Sequence, residues 1–136
     1  MGGTAIKRAR VVFAELSDDS TPEERLAAAE KLIEASHLEQ VIAPKQKVAI
    51  KLHVGERDND THVCPDLIKP IIQRAKQKEA LPFLTETSTL YKGRRSNAVD
   101  HLIQAFDHGF TYENIGAPFI IADGLSGNTE IEVQIE

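Results

Sequence analysis

Charged, imidazole and hydroxyl side chains crowd three short stretches of this 136-residue sequence. The first is Lys51-Leu52-His53-Val54-Gly55-Glu56. The second is Thr85-Glu86-Thr87-Ser88-Thr89, running into Tyr91-Lys92-Gly93-Arg94-Arg95, and the third is Asp123-Gly124. Together they offer four cations (Lys51, Lys92, Arg94, Arg95), three carboxylates (Glu56, Glu86, Asp123) and the imidazole of His53. The Lys-Gly-Arg-Arg-Ser-Asn loop precedes a helix start at Ser96 or Asn97. Exposed backbone N–H groups and the positive end of a helix favour phosphate or carboxylate there, and arginine adds bidentate donors. The loop fits neither GxxxxGK[ST] nor GxGxxG, so it is not a nucleotide loop of those kinds. The opposing reading is that Arg94 and Arg95 solvate a turn and pair with local acids, as short charge runs commonly do.

Two further chemistries are open. His53, Glu56 and His62, with Asp58 and Asp60 between them, supply nitrogen and oxygen donors for a divalent metal, but their spacing matches no HExxH or closed zinc pattern and a plain polar loop is the favoured explanation. Glu86 and Asp123 could act as a general acid and base across neighbouring strand ends, or serve as salt-bridge partners of the nearby cations. Cys64, the single cysteine, reads as a small residue at a helix start, with a thiol of lowered pKa as the alternative.

The elements that must position these groups follow from periodicity and punctuation. RVVFAEL, residues 10–16, is a short β-branched run broken by Ser-Asp-Asp-Ser and predicts a strand. Thr21-Pro22-Glu23-Glu24 sets a capping box with proline at the first helical position and predicts a helix from 22 to about 36, burying Leu26, Ala29, Leu32 and Ile33. Residues 48–54 (VAIKLHV) read as a buried strand whose polar Lys51 and His53 share one face. A second helix opens at Pro65 with Leu67, Ile68, Ile71, Ile72 and Ala75 in register, and Pro70 must lie near its first turn to be tolerated. A strand over 81–86, a helix from the Ser96 or Asn97 cap to His108 stopped by Gly109, and a strand over 119–122 follow. Residues 131–136 (IEVQIE) alternate strictly and predict a half-buried strand.

Strands alternating with helices imply an α/β fold: a three-layer, mostly parallel, Rossmann-like sheet with flanking helices and a C-terminal edge strand or hairpin. In such sheets ligands bind beyond the carboxyl ends of the strands, where the three polar stretches fall. The length argues for a single α/β domain over 1–136, able to bury roughly two thirds of its unfolded surface without staples. Its ending in mid-pattern suggests the N-terminal fragment of a longer protein.

Composition narrows the class. Hydrophobic residues make up 41% and charged residues 27%, ordinary globular usage that argues against disorder and fibrous chains. The net charge of −5 is uneven, with residues 45–95 carrying 11 Lys+Arg against 6 Asp+Glu, and residues 96–136 carrying none against 7. An acidic chain is a poor general nucleic-acid binder, which leaves a local anion site in the middle. No apolar run long enough for a signal or a membrane span is present, so the expected setting is cytoplasmic, without nucleic acid or membrane as partners.

At KVAIKLHVGERDND, PFLTETSTLYKGRRSNAVDHL and HGFTYENIGAPFIIADGL the chain resembles the family catalogued as domain of unknown function 362, often labelled uncharacterised iron-sulfur centre proteins. The resemblance covers roughly residues 46–127 and is strongest in the loop from Thr85 to His101. It carries over Lys51, His53, Gly55, Glu56, Thr87, Thr89, Tyr91, Gly93, Arg94, Arg95, Asn97, Asp123 and Gly124. The resemblance implies a longer protein in which [4Fe-4S] clusters are held by a ferredoxin-like segment. Those cysteines are absent here, so no such cofactor is expected in this chain. The expected function is that of a ligand-binding α/β domain of an iron-sulfur redox protein, with Lys51, His53, Glu56, Glu86, Thr87, Thr89, Tyr91, Arg94, Arg95, Asn97 and Asp123 lining a polar anion cleft. The alternatives are a non-enzymatic interaction or oligomerisation module, docking its own C-terminal region or a second copy, and a metal-binding domain built on His53, Glu56 and His62.

Overall fold

The computed structural model describes residues 9–135. Its centre is one open sheet of three parallel strands, β1 (Lys47–Lys51), β2 (Leu81–Glu86) and β3 (Phe119–Ile121), in the order β1-β2-β3. Register pairs Lys51 with Thr85 and Glu86 with Ile121, so all three carboxyl ends lie along one edge of the sheet. Four helices accompany the strands: α1 (Pro22–Ser36), α2 (Lys69–Gln77), α3 (Ala98–Asp107) and the short α4 (Tyr112–Ile115). The α/β class and the parallel sheet with its flanking helices are as the alternating pattern predicts.

Local chemistry sets the helix ends. Thr21 accepts from the Glu24 N–H while the Glu24 carboxylate accepts from the Thr21 N–H, the reciprocal capping box that starts α1. A 3-10 turn (Pro65–Leu67) precedes α2, which places Pro70 in the first turn of that helix, where its missing N–H costs nothing. Asn97 caps α3 by accepting from the Asp100 N–H, and Gly109, with φ 87°, ends it. Of the four apolar residues expected to line α1, Ile33 alone is buried; Leu26, Ala29 and Leu32 are half-buried.

The core lies on one side of the sheet. Leu52, Val54 and Leu84 pack with Ile68 and Ile72 of the second helical region, Ala105 of α3, and Phe110, Ile115 and Ala117. A smaller cluster joins Ile42, Ala75 and Ala80 to Val48. These sheet residues share the face of Pro82, Leu84 and Glu86. The opposite face carries Lys47, Ala49 and Lys51 of β1, Leu81, Phe83 and Thr85 of β2, and Ile120 of β3, all exposed or half-exposed. The second helical layer of a three-layer arrangement is therefore not among the described residues.

Two expected strands are corrected. Residues 10–16 form no strand, and Val11 and Phe13 are exposed. Residues 131–135 form none either, with Ile131, Val133 and Ile135 exposed; Glu136 lies outside the described residues. Among the described residues the C-terminal edge strand or hairpin is thus absent. Alternation and β-branching express a fit to a neighbouring strand rather than an intrinsic backbone preference, and neither segment has found such a neighbour.

Candidate functional site

Glu86, the last residue of β2, ties the carboxyl edge together. Its carbonyl accepts from the Ala122 N–H just beyond β3, at 2.9 Å. Its carboxylate accepts at Oε2 from the Val54 N–H, three residues beyond β1, at 3.2 Å, and from Nε2 of His101 on α3 at 3.0 Å. Oε1 takes the Arg95 guanidinium at 2.5 Å. One residue therefore connects the ends of all three strands, β3 through its main-chain carbonyl and β1, α3 and the loop after β2 through its carboxylate. Glu86 and Arg95 are 6% and 2% exposed, so each supplies the partner without which burying the other's charge would be prohibitive.

Arg95 carries the connection outward. Its Nε and Nη2 donate to Glu56 Oε1 at 2.9 and 2.6 Å, and Nη2 also donates to the Tyr91 hydroxyl at 2.6 Å. Tyr91 in turn donates to the same Glu56 oxygen. The loop is closed on itself by Thr89, whose N–H donates to the Arg95 carbonyl at 2.8 Å and whose hydroxyl donates to the Tyr91 carbonyl at 3.0 Å. A buried ion pair thus fixes both loops, 54–56 and 87–95, against the strand ends.

These groups are held in single protonation states. Burial by itself would push the Glu86 carboxyl up, but the hydrogen bonds from His101 and the Val54 N–H, with the Arg95 charge, outweigh it and hold the group below its usual range. The Tyr91 hydroxyl, then Arg95, lower Glu56. Its bond to the Glu56 carboxylate raises Tyr91. For Arg95, burial opposes the charge, yet Glu56 and Glu86 more than offset it and raise its pKa further. None of these shifts brings a group toward neutrality, so the network suits positioning and charge presentation better than proton transfer.

A second chain of bonds grips the same backbone from the other side. His108 Nδ1 donates to the Val54 carbonyl at 2.7 Å, and its Nε2 therefore accepts from Gln104 at 2.9 Å. Gln104 Oε1 accepts from Arg94 at 3.2 Å, and Arg94 also pairs with Asp107 at 2.8 Å. His62 stacks on His108 with ring centroids 4.3 Å apart. Gly55, at φ 87°, lies against both imidazoles, and a Cβ there would approach His62 Nδ1 at 2.9 Å and His108 Nδ1 at 3.0 Å. Glycine is required by both the backbone angle and the space.

The expected site residues divide into three groups. Glu56, Glu86, Tyr91 and Arg95 are brought together, with Thr89 behind them. Arg94 turns to α3 and away from the carboxylates of the clamp. Asp123 accepts from the Ser88 N–H at 2.8 Å and so closes a neighbouring loop rather than pairing with Glu86. Asn97 is spent on Asp100. Lys51, His53, Thr87 and Lys92 are exposed; His53 Nδ1 accepts from the Gly55 N–H at 2.9 Å, and Lys51 makes no ion pair among the described residues. Sequence reasoning missed His101, Gln104 and His108. The available signal was polar residues at 101 and 104 on the same helical stripe as Ala98 and Ala105.

The metal alternative is not supported by the geometry. Among the described residues no three His, Cys, Asp or Glu side chains form a group that could hold a metal ion. Glu56 faces Tyr91 and Arg95, while His62 Nδ1 donates to the Asn59 carbonyl. Nor do the residues present suit an iron-sulfur cluster, since Cys64 is exposed and has no second thiol beside it.

An open parallel sheet backed by helices, with a polar network across its carboxyl edge, defines a small α/β fold. The family model described as Domain of unknown function (DUF362) matches residues 48–136, about two thirds of the sequence, and the chain belongs to that family. The match takes in β2, β3, all of β1 but Lys47 and the whole clamp, and leaves α1 outside. No curated protein and no solved structure matches. Among the described residues no helix is long and apolar enough to cross a membrane.

Proposed function

We propose that this chain is a ligand-binding domain that receives a small phosphate- or carboxylate-bearing anion at the carboxyl edge of a Rossmann-like sheet. Its setting is a cytoplasmic redox protein whose iron-sulfur cluster is held by residues outside this chain. The observation that carries the reading is the Glu86 clamp, which fixes three strand ends and two loops and so sets exposed Lys51, His53 and Lys92 on preorganised backbone. Arg95 is a positioning residue in this reading, because its donors are taken by Glu56, Glu86 and Tyr91. Arg94 spends Nη1 alone on Gln104 and Asp107 and keeps donors for an anion.

Calorimetric titration of the full chain with inorganic phosphate tests the reading. Arg94→Ala should weaken binding by about 1.5–3 kcal/mol, the worth of a charged hydrogen bond, with a melting temperature lowered only by the loss of its bonds to Gln104 and Asp107. Absence of phosphate binding by the wild type, or unchanged binding in Arg94→Ala alongside a lowered melting temperature, would overturn it. A second reading, a non-enzymatic interaction module, is favoured by the bare face of the sheet.

A further inference from the structure

The order β1-β2-β3 is built by two crossovers that run the same way, through α2 and then α3. Crossovers of one hand running in one direction place their helices on one face of a sheet. Parallel strands are nevertheless found almost only with helices on both faces. The uncovered face presents Leu81 and Ile120, 58% and 46% exposed, beside the half-buried Phe83. Lys47 and Lys51 form a row along β1 at its side, and none of the strand residues on that face is acidic.

The outer side of α3 is a second unpartnered apolar surface. Val99, Ile103 and Phe106 recur at spacings of four and three, which sets them in one stripe, and they are 60%, 43% and 47% exposed. Ala98, His101, Gln104 and Ala105 turn inward, so the stripe points away from the sheet. Asp100 and Asp107 stand along one side of the stripe, and α3 contains no Lys or Arg. Asp107 pairs with Arg94 but keeps 55% of its side chain exposed. The two aspartates lie about 10 Å apart along the helix, at ~1.5 Å per residue. Lys47 and Lys51 lie about 13 Å apart along the strand, at ~3.3 Å per residue. Flexible lysine side chains span that difference.

We propose that α3 of one copy lies along the bare sheet face of a second copy and serves there as its second helical layer. The apolar stripe then covers Leu81, Phe83 and Ile120, and Asp100 and Asp107 face Lys47 and Lys51. Charge selects this pairing over the symmetric ones. Two bare faces together would give the lysines no carboxylate, and two α3 helices together would give Asp100 no cation. The stripe and the bare face lie on opposite sides of the chain, so two copies cannot exchange both contacts. The contact is therefore heterologous and propagates head to tail. This inference develops the interaction-module reading and is independent of the anion site.

Sedimentation velocity of the full chain across a wide concentration range tests it, with circular dichroism melts to establish that each variant folds. The wild type should grow from monomer through dimer into longer species, because every docked pair leaves a free face at each end. Ile120→Asp and Val99→Gln/Ile103→Gln should each stay monomeric. An equal mixture of those two variants should form a heterodimer and stop there, since the first keeps a sound stripe and the second a sound sheet face. Where either fails to fold, Leu81→Gln or Phe106→Gln takes its place. Lys47→Glu/Lys51→Glu should weaken association about tenfold, equivalent to 1.4 kcal/mol. A wild type that stays monomeric or stops at a dimer, or two monomeric variants that remain monomers when mixed, would overturn the proposal. Association untouched by the variants would overturn it too, while leaving an interaction module that uses another surface.

Discussion

The carboxyl edge of the sheet and its bare face sit a few residues apart on the same three strands, yet they are built on opposite principles. At the edge, Glu86 and Arg95 are buried and every charged atom of theirs named above has a partner; on the face, Leu81 and Ile120 are apolar and open. Pairing explains the first, because two charges can leave water together only when each satisfies the other. Nothing in the described structure satisfies the second. The comparison teaches that the Glu86–Arg95 pair is satisfied within one chain, with His101 Nδ1 behind it buried without a partner among the described residues, whereas the face is complete only with an addition.

The largest expected effect falls at the edge. Arg95→Ala leaves the Glu86 carboxylate buried without its cation and should cost about 3–5 kcal/mol in chemical denaturation, the usual penalty for breaking a buried pair from one side. Gly55→Ala comes next. A side chain at φ 87° between two imidazoles should cost about 1–3 kcal/mol, and its melting curve should fall accordingly; an unchanged melt would show that the His62 and His108 rings give way freely.

A pH series sharpens the same contrast. Glu86 is held below its ordinary value of 4.5 in the folded chain, so its contribution is whole above that pH and is lost as pH falls through the lower folded value. Glu56 acts in the same direction. Denaturation midpoints should therefore drop below about pH 4.5 in the wild type, with a shallower slope in Glu86→Gln. An identical slope in the two proteins would mean that Glu86 is not stabilised in its ionised form. The smallest effect is expected on the bare face, where Ile120→Asp should shift the stability of the monomer by no more than about 0.5 kcal/mol.

Much of this was legible in the residues. Strand 81–86 and the Thr21 capping box are local patterns present as read, and of the two caps read for the third helix, Ser96 or Asn97, the structure uses Asn97. Glu56, Glu86, Tyr91 and Arg95 were identifiable because charged and hydroxyl residues after apolar runs mark strand ends. Their mutual arrangement was not. Whether Arg95 turns inward to Glu86 or outward to solvent depends on how the 87–95 loop folds back through Thr89, a non-local matter. His101 escaped notice because its role appears only when α3 is laid against the sheet. The runs at 10–16 and 131–135 show the converse failure, since a strand pattern specifies a preference for a neighbour and cannot supply one.

The central claim, that a buried Glu86–Arg95 pair organises the candidate site, is tested most directly by a double-mutant cycle. Stabilities of wild type, Arg95→Ala, Glu86→Gln and the double variant are measured by urea denaturation at neutral pH. If the pair organises the edge, the double variant should be more stable than Arg95→Ala alone, because removing the stranded carboxylate charge relieves the cost of burying it. Simple addition of the two single losses would contradict the account.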